Sequence, residues 1–170
     1  IDVNNVKLTI DLNYQSILQE ELKKRKKETN SLSAMGVIMN PQTGAILAMA
    51  SVPDFDNNYF SKFKINNHHC RAITDQFEPG STFKIVAAVA ALSENKISLT
   101  EEFNCENGMF EYFNQIVKDH EPYSQLTLPQ IIKHSSNIGI IKIAERLGSK
   151  TIHKYAKLFG FGSATNIGIN

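Results

Sequence analysis

The stretch AMGVIMNPQTGAILAMAS, Ala34 to Ser51, constrains the fold of this chain more than any other. Two apolar arms flank Asn40-Pro41-Gln42-Thr43-Gly44, a loop with turn chemistry: asparagine initiates, proline fixes φ and glycine supplies a positive φ. A β-hairpin is therefore expected. Its arms are apolar on nearly every residue instead of every second one, so both faces should be covered, as in a sheet with helices packed against it. With 170 residues, 42% of them hydrophobic, the chain is long enough for one compact domain, or part of one, with its own core.

Periodicity organises the rest. VKLTIDLNYQSILQEELKKRKKE reads as a short strand, a capped turn and an amphipathic helix, with Tyr14, Ile17, Leu18 and Leu22 at three- and four-residue spacing. The basic run Lys23 to Lys27 falls at the helix C-terminus, where cations complement the dipole, and reads as a solvated helix end. VPDFDNNYFSKFKINNHHCRAITDQ has no sustained period. It should be a long ordered loop, held by Phe55, Tyr59, Phe60 and Phe63. From Ser81 the pattern turns helical through TFKIVAAVAALSEN. NCENGMFEYFNQIVKD follows as short strands or irregular turns. Two helical stretches, TLPQIIKHSS and NIGIIKIAERLG, meet at Ser135-Ser136-Asn137, the second ending on Gly148 as helices often do. KTIHKYAKLFGFG is a last helix. The whole reads as a mixed α/β domain of the α+β type.

Eighteen basic against seventeen acidic residues leave a net charge of +1, so nothing calls for nucleic acid or an anionic surface. The longest uncharged apolar run, Ile85 to Leu92, is far shorter than the roughly 20 residues of a bilayer span. The chain opens on Ile1 with no leader, which suggests a segment of a longer polypeptide whose anchor or export signal lies elsewhere. Cys70 and Cys105 fit neither a redox pair nor a zinc spacing, and Asn67-His68-His69-Cys70 reads as a polar loop in preference to a metal site. No cofactor and no metal are expected.

The candidate chemistry lies in FEPGSTFKIV, Phe77 to Val86. A serine hydroxyl becomes a useful nucleophile when a base takes its proton, and a lysine serves as that base once burial or a neighbouring cation has made it neutral. Serine and lysine three residues apart at a helix start share one face, and the first turn offers free N–H groups to an oxyanion. The pattern Ser-x-x-Lys occurs three times, as Ser61/Lys64, Ser81/Lys84 and Ser93/Lys96. Ser61/Lys64 lies in the aromatic loop and Ser93/Lys96 at the end of a helix. Ser81/Lys84 alone follows a Pro79-Gly80 turn and enters an apolar helix. For that pair the alternatives are a nucleophile with its base, or a helix cap with a lysine snorkelling outward. Ser135 and Asn137 in HSSNIG stand on a second polar break that presents groups to a cleft; the alternative is that Ser136 or Asn137 caps the helix beginning at Ile138. Both roles are compatible.

RAITDQFEPGSTFK, CENGMF and SSNIG, in this order and at these intervals, resemble the transpeptidase domain of class B penicillin-binding proteins. VKLTIDLNYQSILQEEL, GVIMNPQTGAILAMASVPDFDNN and LFGFG extend the likeness over nearly all of the chain. The resemblance implies a penicillin-binding, serine β-lactamase-like fold with helices on a five-stranded antiparallel sheet, of which residues 1–170 would be the N-terminal portion. It implies that Ser81 is acylated at the penultimate D-Ala carbonyl of a peptidoglycan stem peptide, or by a β-lactam. Lys84 would take the Ser81 proton, Ser135 would relay a proton to the leaving group, and Asn137 would hold Lys84 and the substrate amide. The Ser81 N–H would form half of an oxyanion hole. The family's third motif, Lys-Thr-Gly or Lys-Ser-Gly, is absent, so the chain by itself is expected to have little or no activity and to need another chain, or a neighbouring copy, over its hairpin edge. The resemblance further implies a membrane-anchored parent on the outer face of a bacterial cytoplasmic membrane, working with division or elongation proteins. Rival readings are a serine β-lactamase or β-lactam sensor, and a non-catalytic binding module.

Overall fold

Asn40 closes the expected turn with its own side chain: Oδ1 accepts the N–H of Gln42 at 2.9 Å and of Thr43 at 3.3 Å, and Gly44 takes the positive φ of 72°. The computed structural model that shows this describes residues 6–165 and 167, which fall into two compact units divided between Phe77 and Glu78.

In the first unit, helix α1 (Leu12–Thr29) starts on Asp11, whose carboxylate accepts the N–H of Asn13 at 2.8 Å, and ends at Asn30 in the left-handed region, with Lys26 and Lys27 in the last turn. Strands β1 (Ala34–Met39) and β2 (Ile46–Val52) pair antiparallel, Gly36 opposite Ala50, with a bulge between Ile38 and Met39. Gly36 lets α1 pack closely on β1, since a Cβ there would lie 2.8 Å from Leu18 Cδ1 and push that side chain aside. The helix face turned inward carries Gln15, Leu18, Gln19 and Leu22, while Tyr14 and Ile17 of the expected stripe are exposed. A polar residue displaces them because Gln15 binds both backbone groups of Met49, donating to its oxygen and accepting its N–H at 2.9 Å each.

Residues 6–10 do not form the expected strand. Asp11 N–H donates to Leu47 O at 2.8 Å, but a single backbone bond is no ladder. On the opposite hairpin face, Arg71 N–H donates to Ser51 Oγ at 2.9 Å at the start of the short helix α2 (Arg71–Thr74). Coverage of the two faces is partial, with Val37 and Met39 about half exposed. The aromatic loop is ordered as expected: two 3-10 turns, Asn57–Lys62 and Ile65–His68, gather around His68, which stacks on Phe55 at 4.4 Å and bonds Phe60 O at 3.1 Å.

The second unit opens with a 3-10 turn at Gly80–Phe83 that runs into α3 (Lys84–Ser93). Then follow β3 (Glu102–Asn104), β4 (Met109–Tyr112), β5 (Gln115–Lys118) and β6 (Gln125–Thr127), paired β3 with β6 and β4 with β5, both antiparallel. Helices α4 (Leu128–His134), α5 (Asn137–Leu147) and α6 (Ser149–Leu158) complete it. The alanine face of α3 packs with Ile131, Ile138, Ile143, Phe103 and Leu126 in one apolar core. Gly139 lets α4 and α5 approach, because a Cβ there would lie 2.6 Å from Ile131 Cγ1. Helices and antiparallel strands are mixed, as the sequence patterns imply. Among the described residues no helix is long and apolar enough to cross a membrane.

Candidate active site

A positive φ of 57° at Gly80, just after Pro79, turns the chain into the 3-10 segment that carries Ser81, and the Thr82 hydroxyl ties the turn down by donating to Pro79 O at 2.6 Å. Ser81 is exposed and stands in the first turn, where helical N–H groups lack internal acceptors. One turn on, Lys84 begins α3. Its neighbours along the helix, Val86, Ala87 and Ala88, are buried, and Lys84 itself is turned inward, away from a snorkelling pose.

Lys84 Nζ donates to Ser135 O at 2.5 Å, to Ser135 Oγ at 3.0 Å and to Asn137 Oδ1 at 2.7 Å. The Ser135 hydroxyl donates to Ser81 Oγ at 2.9 Å. Residues more than fifty apart in sequence therefore form one hydrogen-bonded chain, Ser81–Ser135–Lys84–Asn137. Ser81 and Lys84 are linked through Ser135 and not by a bond of their own, which differs from the direct pairing that their spacing suggests.

The junction between α4 and α5 presents these groups through an unusual backbone. Ser135 is the C-cap of α4 at φ 55°, ψ 39°, a left-handed conformation uncommon for a residue with a Cβ, and it brings Ser135 O and Oγ both onto Lys84. Ser136 is the N-cap of α5, accepting Gly139 N–H at 2.9 Å, and is nearly fully buried. Serines 135 and 136 thus divide the labour: one meets Lys84 while the other holds the helix.

Asp119, at the end of the β4–β5 hairpin, has no signal in the sequence to single it out, being seventeen residues or more from its partners. Oδ1 accepts the N–H of Asn137 at 2.5 Å and of Ile138 at 3.2 Å, and Oδ2 accepts the Ser136 hydroxyl at 2.6 Å. Asn137 Nδ2 donates to Lys118 O at 2.9 Å, fixing which way the amide faces. The cysteine at this site, Cys105, is buried beneath Ser136, whose hydroxyl lies 3.7 Å from Sγ. Burial pushes its thiol pKa up, the opposite of an activated cysteine.

Burial lowers the Lys84 pKa below the usual lysine range, and Asp119 pulls the other way by favouring the ammonium. The net direction is downward, which raises the fraction able to accept a proton. An apolar recess of about 170 Å³ adjoins Lys84, lined by Gly80, Phe83, Ala87, Ile140, Ile141, Ala144 and Ile152. A larger groove of about 750 Å³ along α5 and α6 holds none of the four chain residues. The other two Ser-x-x-Lys pairs are exposed, and among the described residues no hydrogen bond joins either pair.

A family model described as the penicillin binding protein transpeptidase domain matches residues 34–170. Among curated proteins the chain is similar to the stage V sporulation protein D of Bacillus subtilis, 34% identical over 166 residues, covering 96% of this chain and 26% of that protein. It is likewise similar to the peptidoglycan D,D-transpeptidase FtsI of Escherichia coli K12, 32% identical over 166 residues, covering 98% of this chain and 28% of that protein. The chain thus spans little more than a quarter of the length of these relatives. Among solved structures, the transpeptidase domain of penicillin-binding protein 3 from Burkholderia pseudomallei superposes with a TM-score of 0.83 at 26% identity, over 96% of this chain and 45% of that one.

Proposed function

Because the chain belongs to the penicillin-binding protein transpeptidase family, we propose that Ser81 is an acyl-forming nucleophile in peptidoglycan cross-linking. One observation carries this reading: the hydrogen-bonded chain from Ser81 through Ser135 to a partly desolvated Lys84. A protonated Lys84 spends all three of its N–H groups on Ser135 O, Ser135 Oγ and Asn137 Oδ1. Once neutral, it has a lone pair to turn toward Ser135 Oγ.

For acylation the two hydroxyls rotate, so that Ser81 donates to Ser135 Oγ and Ser135 donates to the neutral Lys84. Ser81 Oγ bonds to the carbonyl carbon of the penultimate D-Ala of a stem peptide while its proton passes to Ser135 and the Ser135 proton passes to Lys84. The carbonyl π electrons move onto oxygen, and the Ser81 N–H would donate a hydrogen bond to the oxyanion. Collapse breaks the C–N bond, and the Ser135–Lys84 pair returns a proton to the departing D-Ala amine. An amine from a second stem peptide attacks the ester, forms the new amide and frees Ser81. A β-lactam presents the same carbonyl, but its leaving amine remains tethered, so the acyl-enzyme persists.

Relatives whose names refer to sporulation and to peptidoglycan D,D-transpeptidation support this substrate class. The setting we propose is the outer face of a bacterial cytoplasmic membrane, in an anchored parent that works with division or elongation proteins. The sequence contains no Lys-Thr-Gly or Lys-Ser-Gly, so one wall of the cleft has to come from elsewhere and acylation of this chain alone should be slow. The test is incubation with a fluorescent penicillin followed by peptide mass spectrometry. A slow adduct on Ser81, stable to removal of free drug and lost in Ser81→Ala, is expected. An adduct of equal yield in Ser81→Ala would overturn the reading, and rapid hydrolytic turnover would favour a β-lactamase.

A further inference from the structure

We propose that Asp119 is a positioning residue of this site, holding the 135–137 junction so that Asn137 faces Lys84. The inference deepens the reading of Ser81 as nucleophile and rests on it for its functional meaning, but its geometry stands alone. Three donors converge on one carboxylate: Asn137 N–H and Ile138 N–H on Oδ1, and the Ser136 hydroxyl on Oδ2. A carboxylate can accept all three, whereas an amide has one oxygen for them and presents a donor to Ser136. The two N–H groups are the first of α5, where the helix dipole adds to the attraction of a negative charge.

The effect reaches Lys84 through Asn137 alone among Asp119's direct partners. With its N–H on Asp119 and its Nδ2 on Lys118 O, Asn137 is held so that its side-chain oxygen Oδ1 is the atom on Lys84. Releasing Asp119 frees the backbone end of this clamp. The groups that face Lys84 are otherwise uncharged or apolar. Ser81, Ser135 and Asn137 carry no charge, and the recess beside it is lined from α5 and α6 by Ile140, Ile141, Ala144 and Ile152. Among titratable neighbours on the adjoining segments, His134 is held by the Tyr123 hydroxyl at 3.2 Å, and Lys118 offers Asn137 its backbone oxygen. Asp119 is thus the carboxylate that favours the Lys84 ammonium, against the burial that disfavours it.

The test reads Lys84 directly in the 170-residue chain, so its outcome does not depend on whether Ser81 is acylated. Lys84 is followed by carbon-13 NMR at Cε through a pH titration, its signal assigned by loss in Lys84→Arg, while amide exchange is measured at Asn137 and Ile138. Asp119→Asn is expected to speed exchange at both amides about tenfold, as loss of a charge-assisted bond implies, and to move the Lys84 midpoint to lower pH. Because the Asp119 charge alone also favours the ammonium, the shift is measured again in Asn137→Ala: a residue that acts through Asn137 should lose most of its Asp119→Asn shift there, and a shift of equal size in both backgrounds overturns the proposal. Ser136→Ala keeps the carboxylate while removing one of its three donors. It is expected to speed exchange at Asn137 with the Lys84 midpoint retained, and unchanged exchange there also overturns the proposal, even if Asp119→Asn fails to fold.

Discussion

The two units of this molecule are built on different physics. In the first, Ala48, Ala50 and Val52 of β2 are the buried apolar residues, and α1 has none. It is held by the Gln15 side chain on the backbone of Met49, by the ion pair of Lys23 with the Asp54 carboxylate at 2.8 Å, and by an aromatic loop around His68. The second unit has a continuous apolar core from α3, α4, α5 and the β3–β6 pair, and all four candidate catalytic residues stand on elements anchored in it. The lesson concerns precision. Side chains that must meet within a few tenths of an ångström are placed on helix ends whose next residues are locked in a packed core.

The largest expected effect tests that contrast directly. Ile138, one residue beyond Asn137, is completely buried. Ile138→Ala should destabilise by about 2–5 kcal/mol in denaturant unfolding. Leu18→Ala, at a half-buried position against Gly36, should remove about half of that or less. Equal losses would dissolve the distinction between a packed and a pinned unit. Next in size, Gln15→Ala removes two hydrogen bonds to Met49 and should destabilise by about 1–3 kcal/mol. An effect near zero would show that hydrophobic contact alone holds α1 to the hairpin.

The smallest effect concerns acid. Burial raises the Asp54 pKa, but hydrogen bonds from Lys23 and Gln19 and the Lys23 charge outweigh it, and the net direction is downward. A carboxylate whose folded pKa is depressed stabilises the folded state above its unfolded value, about 3.9, and loses that contribution as pH falls through the folded value. Amides of α1 near Lys23 should therefore lose protection as pH falls below about 4. With Asp54 nearly a third exposed, the change should be modest and should fade with added salt. Asp54→Asn should abolish it.

Much of this was legible before any coordinates. The Asn40–Gly44 turn, the break at Ser135–Asn137 and the helix entering at Ser81 each have a local cause, in Asn and Gly backbone chemistry or in a switch of periodicity. What escaped is what depends on distant partners. Tyr14 and Ile17 fit the helical period of α1, but the backbone of Met49 selects Gln15 instead. Residues 6–10 have strand composition, yet composition supplies no ladder. Asp119 is one acidic residue in an ordinary strand end until the chain folds and sets it under α5. The direction of Lys84, inward or outward, was likewise open, because an apolar helix start is compatible with both.

Ser135 sits in a left-handed conformation that glycine would occupy with less strain, about 1 kcal/mol by general estimates, and that glycine would cap α4 just as well. The bare fold therefore has a more stable neighbour one substitution away, and that neighbour lacks the hydroxyl that bridges Ser81 and Lys84. A screen of variants for thermal stability alone would drift toward it, and a screen for β-lactam adducts would drift back. The same residue separates the two selections, which makes position 135 a marker for whether a lineage of this chain has been kept for what it does or only for how it folds.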